Sequence, residues 1–576
     1  MATAPADIDA DLEQQRLLSL YLKAHRQRFK AEVNRLTGGE MAARLGGPEA
    51  ADLAFLMTYV QAWHWLRQHV HADYRWAVLE AFSRGRQGFL MRLLHESETA
   101  EDFVRGYVAH WQAAPAEAPV QRDQCLRLLA RRGGDVERLV ADVLARWRAI
   151  DPWRQPLKLA YRDLAREEKE RYANMLGPED RERLALVDAL PDPSPGRPFR
   201  FDKAGIIPAM GCPQTCRHCM FIFRPLMRDL PDPQGLLDQV NGLTDSVLFT
   251  GGDLTRQLDH FYRAIETMDR IGTFAILLNG DFADDRAVTR EVLERMAAAL
   301  RRRRPGARRA HVLLQISFDE LHQEVMVDKK GRLRERIPVR KIANIVELAP
   351  RYRGRIQLCL VHKQHALNFS LGLFEQGVFA RLFEELGRRG HRIEVRSAAP
   401  SPRRKRNPLA PDAPPTPVIK DASFVLADHP DAPILVTSST IDAYGRARLL
   451  DPCEAVNERD LLRDVLAGRG AGGEFFDTDL MFWFNGWATL FAAVHIALGN
   501  VYEDGLETVL ARQRKDPLAR ALHDFDLRLL DFYRERADDL DARIAQATGP
   551  HHLFHTITES PAMRLHMTRR LIETAA

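Results

Sequence analysis

The chain has 576 residues, 45% of them hydrophobic and 28% charged, with 83 basic side chains against 79 acidic ones. That length exceeds one compact core and implies two or three domains. The net charge of +4 gives no electrostatic reason to expect nucleic acid, and no apolar run reaches the ~18–20 residues that span a bilayer.

Residues 1–190 read as helix after helix. Apolar residues recur at helical spacing in the stretches 12–36, 52–70 and 135–150, with glycine breaks at Gly46-Gly47 and Gly133-Gly134. The first residues are acidic and polar and lack the basic-then-apolar order of an export signal, so a cytoplasmic setting is expected. His64, His69 and His71 have no acidic or cysteine partner at ligand spacing and read as packing or surface residues. Leu190 to Pro198 holds four prolines in nine residues, which marks a boundary.

From 191 to 400 short apolar runs alternate with amphipathic helices. The runs at 204–208, 246–249, 274–278, 311–317, 355–361 and 392–397 are expected as six parallel strands joined by crossover helices. The expected class is α/β: a partial (β/α)6 TIM-type barrel, an all-α N-terminal domain, and a small α+β extension over 401–576. A barrel of this kind presents its site at the C-terminal ends of the strands. The basic residues 301–304 and 403–406 are expected at a solvated helix end and in a Pro-rich loop. His551, His552 and His555 are expected at the surface.

Three of the six cysteines, Cys212, Cys216 and Cys219, fall within eight residues on the loop after the first expected strand. Such clustering favours metal over disulfides. From the residues alone two metals remain open. Three thiolates can hold three irons of a 4Fe–4S cube and leave the fourth iron without a protein ligand. They can also hold zinc, with His218 or a distant residue as the fourth ligand.

The CxxxCxxC spacing after a first strand resembles the radical SAM superfamily. The resemblance covers about residues 200–400. It implies one 4Fe–4S cluster on Cys212, Cys216 and Cys219, with S-adenosylmethionine chelating the open iron and cleaved to a 5′-deoxyadenosyl radical. That radical abstracts hydrogen from a substrate. Thr250-Gly251-Gly252-Asp253 resembles the family's GGE motif, with Asp in place of Glu. Asn279-Gly280 resembles its third-strand turn. Ser317 and Asp319 stand where family members contact the ribose, and His218 where a residue packs near adenine. A fifth-strand GxIxG pattern is absent. The stretches 441–446, 484–486 and 498–504 resemble SPASM or twitch extensions without the cysteines of auxiliary clusters. Cys453 alone lies in that region and is a candidate for chemistry, while Cys125 and Cys359 are expected in the core.

The resemblance implies an oxidoreductase or maturase acting on a peptide, protein or specialised metabolite, with an electron donor such as flavodoxin or ferredoxin. The alternatives are a radical SAM enzyme acting on a small metabolite or nucleic acid, or a non-catalytic SAM-, cluster- or zinc-binding protein.

Overall fold

The computed structural model describes residues 5–575, apart from residue 86, 115–119, 151–165, 167–174, 194–200, 222–232, 366, 368–372, 406–411 and 470–474. Most of the proline-rich boundary and Arg406 lie outside the described residues.

Five of the six expected strands form on their apolar runs: β1 (Ala204–Ile207), β2 (Ser246–Phe249), β3 (Thr273–Leu278), β4 (His311–Ser317) and, after a small hairpin β5 (Val325–Val327) and β6 (Leu333–Glu335), β7 (Ile356–Lys363). All five pair in parallel in the order β1-β2-β3-β4-β7. Their inward residues, among them Ile206, Val247, Phe249, Phe274, Ile276, Val312, Leu314 and Leu360, are fully buried. Parallel strands read as dense apolar runs because helices cover their faces. The helices Leu258–Thr267, Arg286–Arg301, Val339–Leu348 and Gly377–Arg388 supply that cover.

The sixth expected strand is corrected. The stretch around 392–397 opens β8 (Ile393–Lys405), which pairs antiparallel with β9 (Thr416–Leu426) at the outer edge. The sixth parallel position belongs to β10 (Ile434–Ser439), which pairs with β7. Composition could not separate the two runs, because an edge hairpin of Ile, Val and Ser residues has the same short apolar pattern. A seventh parallel strand, β11 (Leu480–Trp483), lies on the free side of β1 and continues into antiparallel β12 (Trp487–Leu490) and β13 (Ala497–Asn500). The result is one 11-stranded sheet, β13-β12-β11-β1-β2-β3-β4-β7-β10-β9-β8. Residues beyond 400 therefore extend this sheet on both edges and share its core, which runs from Leu184 to Leu571.

The N-terminal helices, from Pro5–Arg35 to Val136–Ile150, form a second core around Leu53, Trp65, Leu66, Phe103 and Leu139. Cys125 is buried there, and Cys359 is buried in β7. The helix Pro178–Asp188 packs against the C-terminal helix Pro561–Ala575 instead. No described helix is long and apolar enough to cross a membrane.

Candidate active site at the cysteine loop

The loop that follows β1 carries Cys212, Cys216 and Cys219 across the C-terminal ends of the parallel strands. Cys216 is buried, and the other two are half-buried. Burial pushes the Cys216 thiol up to about 12; Arg336 opposes this, and Asp319, Cys219 and Cys212 add to it. A thiolate at that position is costly unless a cation enters the loop, which is the condition a bound metal meets.

The second strand's loop is seated on this one. Gly252 N–H donates to Ala209 O at 3.0 Å and Asp253 N–H to Gly211 O at 2.8 Å, while Thr250 N–H reaches Ile206 O. A Cβ on Gly252 would stand 2.2 Å from Gly211 O and 2.4 Å from Met210 O, and one on Gly251, at φ +137°, 2.4 Å from Ala209 O. Both glycines thus permit a backbone-on-backbone contact that any side chain would block. The Asp253 carboxylate accepts from Thr255 N–H and Oγ1–H and caps the following turn. A cavity of about 740 Å³ opens beside Cys212, Asp253, Arg256 and Asp281.

At the third strand's end the Asn279 Oδ1 accepts from Asp281 N–H at 2.8 Å, and Gly280 has φ +82°. Gln214 Nε2, between the first two cysteines, donates to Asp281 Oδ2. At the fourth, Ser317 closes the β4 register opposite Val361. Asp319, two residues on, is 1% exposed. Its carboxylate accepts from Leu321 and His322 N–H and meets His322 Nδ1 at 2.8 Å and His218 Nε2 at 3.6 Å. Burial alone would raise this carboxyl, but His322 and His218 hold it well below its ordinary range. His218 and His322 meet edge to face, 4.5 Å between ring centres.

Nothing in the sequence singles out His322 except its i+3 spacing from Asp319. Among the described residues, four buried polar atoms around these strand ends have no hydrogen-bond partner: Asn279 Nδ2, His218 Nδ1, Gln323 Nε2 and His362 Nε2. Most buried polar groups are paired, so each of these four calls for an explanation.

A largely buried ion network holds the loop from the other side. Arg217, between the second and third cysteines, donates to Glu324 at 2.8 Å and to both oxygens of Glu454. Glu454 also meets Arg28 of the N-terminal helix at 3.1 Å, and Arg28 binds Asp451 at 2.7 Å. Trp65 Nε1 donates to the same Asp451 oxygen. Arg336 bridges Glu324 and Thr215 Oγ1. The sequence gives no signal for Arg217, Glu324, Arg336 or Glu454, because the partners come from four distant segments. Cys453 is buried within this network, where burial first, and then the Asp451 and Glu454 charges, push its thiol up.

The segment Tyr444–Arg446 closes the loop's far end. Arg446 N–H donates to Cys219 O at 2.9 Å, and a Cβ on Gly445 would strike Met220. Behind Tyr444 stand His552 and His555, both buried. This corrects the expected surface position of these two histidines. They follow Pro550 on a short helix whose apolar face turns them inward with Leu553 and Phe554.

No family model and no curated protein matches the chain. Among solved structures it is similar to Streptococcus suis SuiB bound to the precursor peptide SuiA, at 16% identity and a TM-score of 0.21, over 32% of this chain and 36% of that one. It is also similar to anSMEcpe with bound AdoMet and the Cp18Cys peptide, at 12% identity and a TM-score of 0.32, over 65% of this chain and 98% of that one. The same protein with AdoMet alone gives 12% and 0.32. The chain thus spans 36% of the length of SuiB. Likenesses this loose decide nothing about function.

Proposed function

We propose that this chain is a radical SAM enzyme in which Cys212, Cys216 and Cys219 hold one 4Fe–4S cluster and S-adenosylmethionine takes the open iron. Its substrate is a peptide, protein or specialised metabolite, and a flavodoxin or ferredoxin supplies the electron. The parallel strands serve as a partial barrel. The observation that carries this reading is the seating of Gly251-Gly252-Asp253 on the backbone of a three-cysteine loop at the ends of parallel strands.

The residues fit the group. A thiol raised chiefly by burial asks for a cation, and the unpartnered Asn279 and His218 atoms ask for a polar ligand beside it. The chemistry such a site supplies when loaded is reductive cleavage of the sulfonium and hydrogen abstraction from the substrate. The chain's own part is positioning. Arg217 fixes the loop between the second and third cysteines, and the Gly252 and Asp253 amides tie it to β2. Asp319 keeps His218 and His322 oriented, and burial holds His218 neutral, near 3. The zinc alternative needs His218 or a distant residue as fourth ligand; His218 Nε2 lies 3.6 Å from Asp319, and with His322 the two form a group that could itself hold a metal ion.

An anaerobic reconstitution tests the reading. Iron, sulfide and dithionite should give about four irons per chain and SAM-dependent 5′-deoxyadenosine, and Cys216→Ala should lose both. Zinc as the native metal with no SAM cleavage would overturn the proposal. Eight irons per chain would overturn the single-cluster assignment.

A further inference from the structure

A second cavity, of about 360 Å³, lies between the N-terminal helix Pro5–Arg35 and the ends of β4 and β7. Its inner end is formed by Arg217 and Glu454, which places it directly behind the cysteine loop. One wall is the helical domain, through Leu20 and Ala24; the other is the segment after β4, through Leu321, Gln323 and Val325. We propose that this interdomain cavity is the substrate pocket and that it receives an uncharged stretch of peptide whose backbone carbonyl accepts a hydrogen bond from Gln323. The proposal rests on the radical SAM reading for the chemistry, but not for the binding.

Gln323 supplies the first argument. It is fully buried, and its Oε1 accepts from Asp319 N–H at 2.9 Å. An N–H donor requires the amide oxygen there, so the amide orientation is fixed. Nε2 is then left buried with no partner among the described residues. An unmade hydrogen bond of this sort is unfavourable. Gln323 borders the cavity but its side chain shows no surface to it, so a ligand carbonyl reaches Nε2 when the segment after β4 shifts to admit it. The same amide is bonded to Asp319, which orients His218 and His322, so the recognition group and the cysteine loop are mechanically joined.

The charges supply the second. Every ionic group at the inner end has its counter-ion already: Arg217 with Glu324 and Glu454, Arg28 with Asp451 and Glu454. A charged side chain reaching this inner end would be desolvated with no free partner, which is strongly unfavourable; of the further charges of the lining, Lys23, Glu375 and Glu384 are exposed. Leu20, Leu321 and Val325 suit an apolar or small polar group.

Size and opening supply the third. The volume is at the lower end for ligand pockets and admits a short stretch of chain, not a folded protein. Lys23, Ala24, Glu375 and Gln376 at its rim are exposed, so a longer chain can run out into solvent.

The experiment uses the reconstituted full-length enzyme with SAM under anaerobic conditions. Three mixtures of N-acetylated, C-amidated hexapeptides are the probes: one uncharged, one containing Asp and Glu, one containing Lys and Arg. Bound peptide is recovered by ultrafiltration and counted by mass spectrometry. The uncharged mixture should be retained at least tenfold better by the wild type than by Ala24→Trp, which fills the cavity from an exposed helix position. Lys30→Trp, on the same helix outside the cavity, should retain as the wild type does. Gln323→Leu should lose retention, and if it fails to fold the Ala24→Trp comparison still decides. Equal retention by wild type and Ala24→Trp, or preference for either charged mixture, overturns the proposal. 5′-Deoxyadenosine from the same wild-type sample is read in parallel. Retention without it would sink the radical SAM reading and leave the pocket standing; 5′-deoxyadenosine with equal retention would do the reverse.

Discussion

Gly252 tests the seating of the two loops most directly. Its missing Cβ would otherwise overlap two carbonyl oxygens of the cysteine loop, and both are backbone atoms that cannot turn aside. Gly252→Ala should therefore push the loops apart, at a cost of about 1–3 kcal/mol, and lower the iron retained after reconstitution well below that of the wild type. Iron and sulfide analysis checks this, and full cluster occupancy in the variant would show that the contact does not matter to the site. The glycines and the three cysteines were legible because short-range spacing carries them. Arg217 was not. It reads as an ordinary basic residue until Glu454, 237 positions later, is brought to it. Buried charge networks escape sequence reading for this reason: each member looks like a surface residue, and only the fold shows that it is enclosed.

Among the elements, the helix Pro5–Arg35 and the helix Ala50–His69 contribute the titratable groups that link the helical domain to the cysteine loop. His25 and His69 are each held at about 4, chiefly by burial. The unfolded chain, with histidine at its ordinary 6.5, binds more protons between those values, so stability falls as pH drops from 6.5 toward 4. Glu324 behaves as a depressed acid. Burial would raise it, but Arg217, Arg336 and Arg28 bring it from 4.5 to about 2. Its contribution is present above 4.5 and is lost as pH falls toward 2. The two windows adjoin, so the denaturation midpoint should decline without a plateau from pH 6.5 downward, followed by tryptophan fluorescence near Trp65. His69→Gln should flatten the upper part of that decline; a midpoint flat between pH 6.5 and 4 in the wild type would contradict the assignment. Strands were the most legible elements. Five apolar runs became parallel strands in place, while register and edge position were not readable, since β8 and β10 differ in neighbours rather than in pattern.

Among the described residues the two largest cores lie around the sheet and among the N-terminal helices, and the β5–β6 hairpin joins them. Val325 and Leu333 leave the sheet domain to pack inside the helical core. Gln14 Nε2 donates to Leu333 O and Tyr74 Oη to Gly331 O, both at 3.1 Å. The Arg28–Glu454–Arg217 chain then continues from the same interface to the cysteines. An apolar hairpin seats the domain, and the ion network sets how it faces the loop. Leu333→Ala removes a nearly fully buried side chain at the seat and should cost about 2–5 kcal/mol. Because the lost contact lies between the cores and not within either, the cost should fall on docking. Limited proteolysis should then release a helical N-terminal fragment faster than in the wild type, while the remaining sheet domain keeps its iron. If Leu333→Ala instead lowered iron content and left the cleavage rate unchanged, the hairpin would belong to the site's own support and not to the seat of the helical domain.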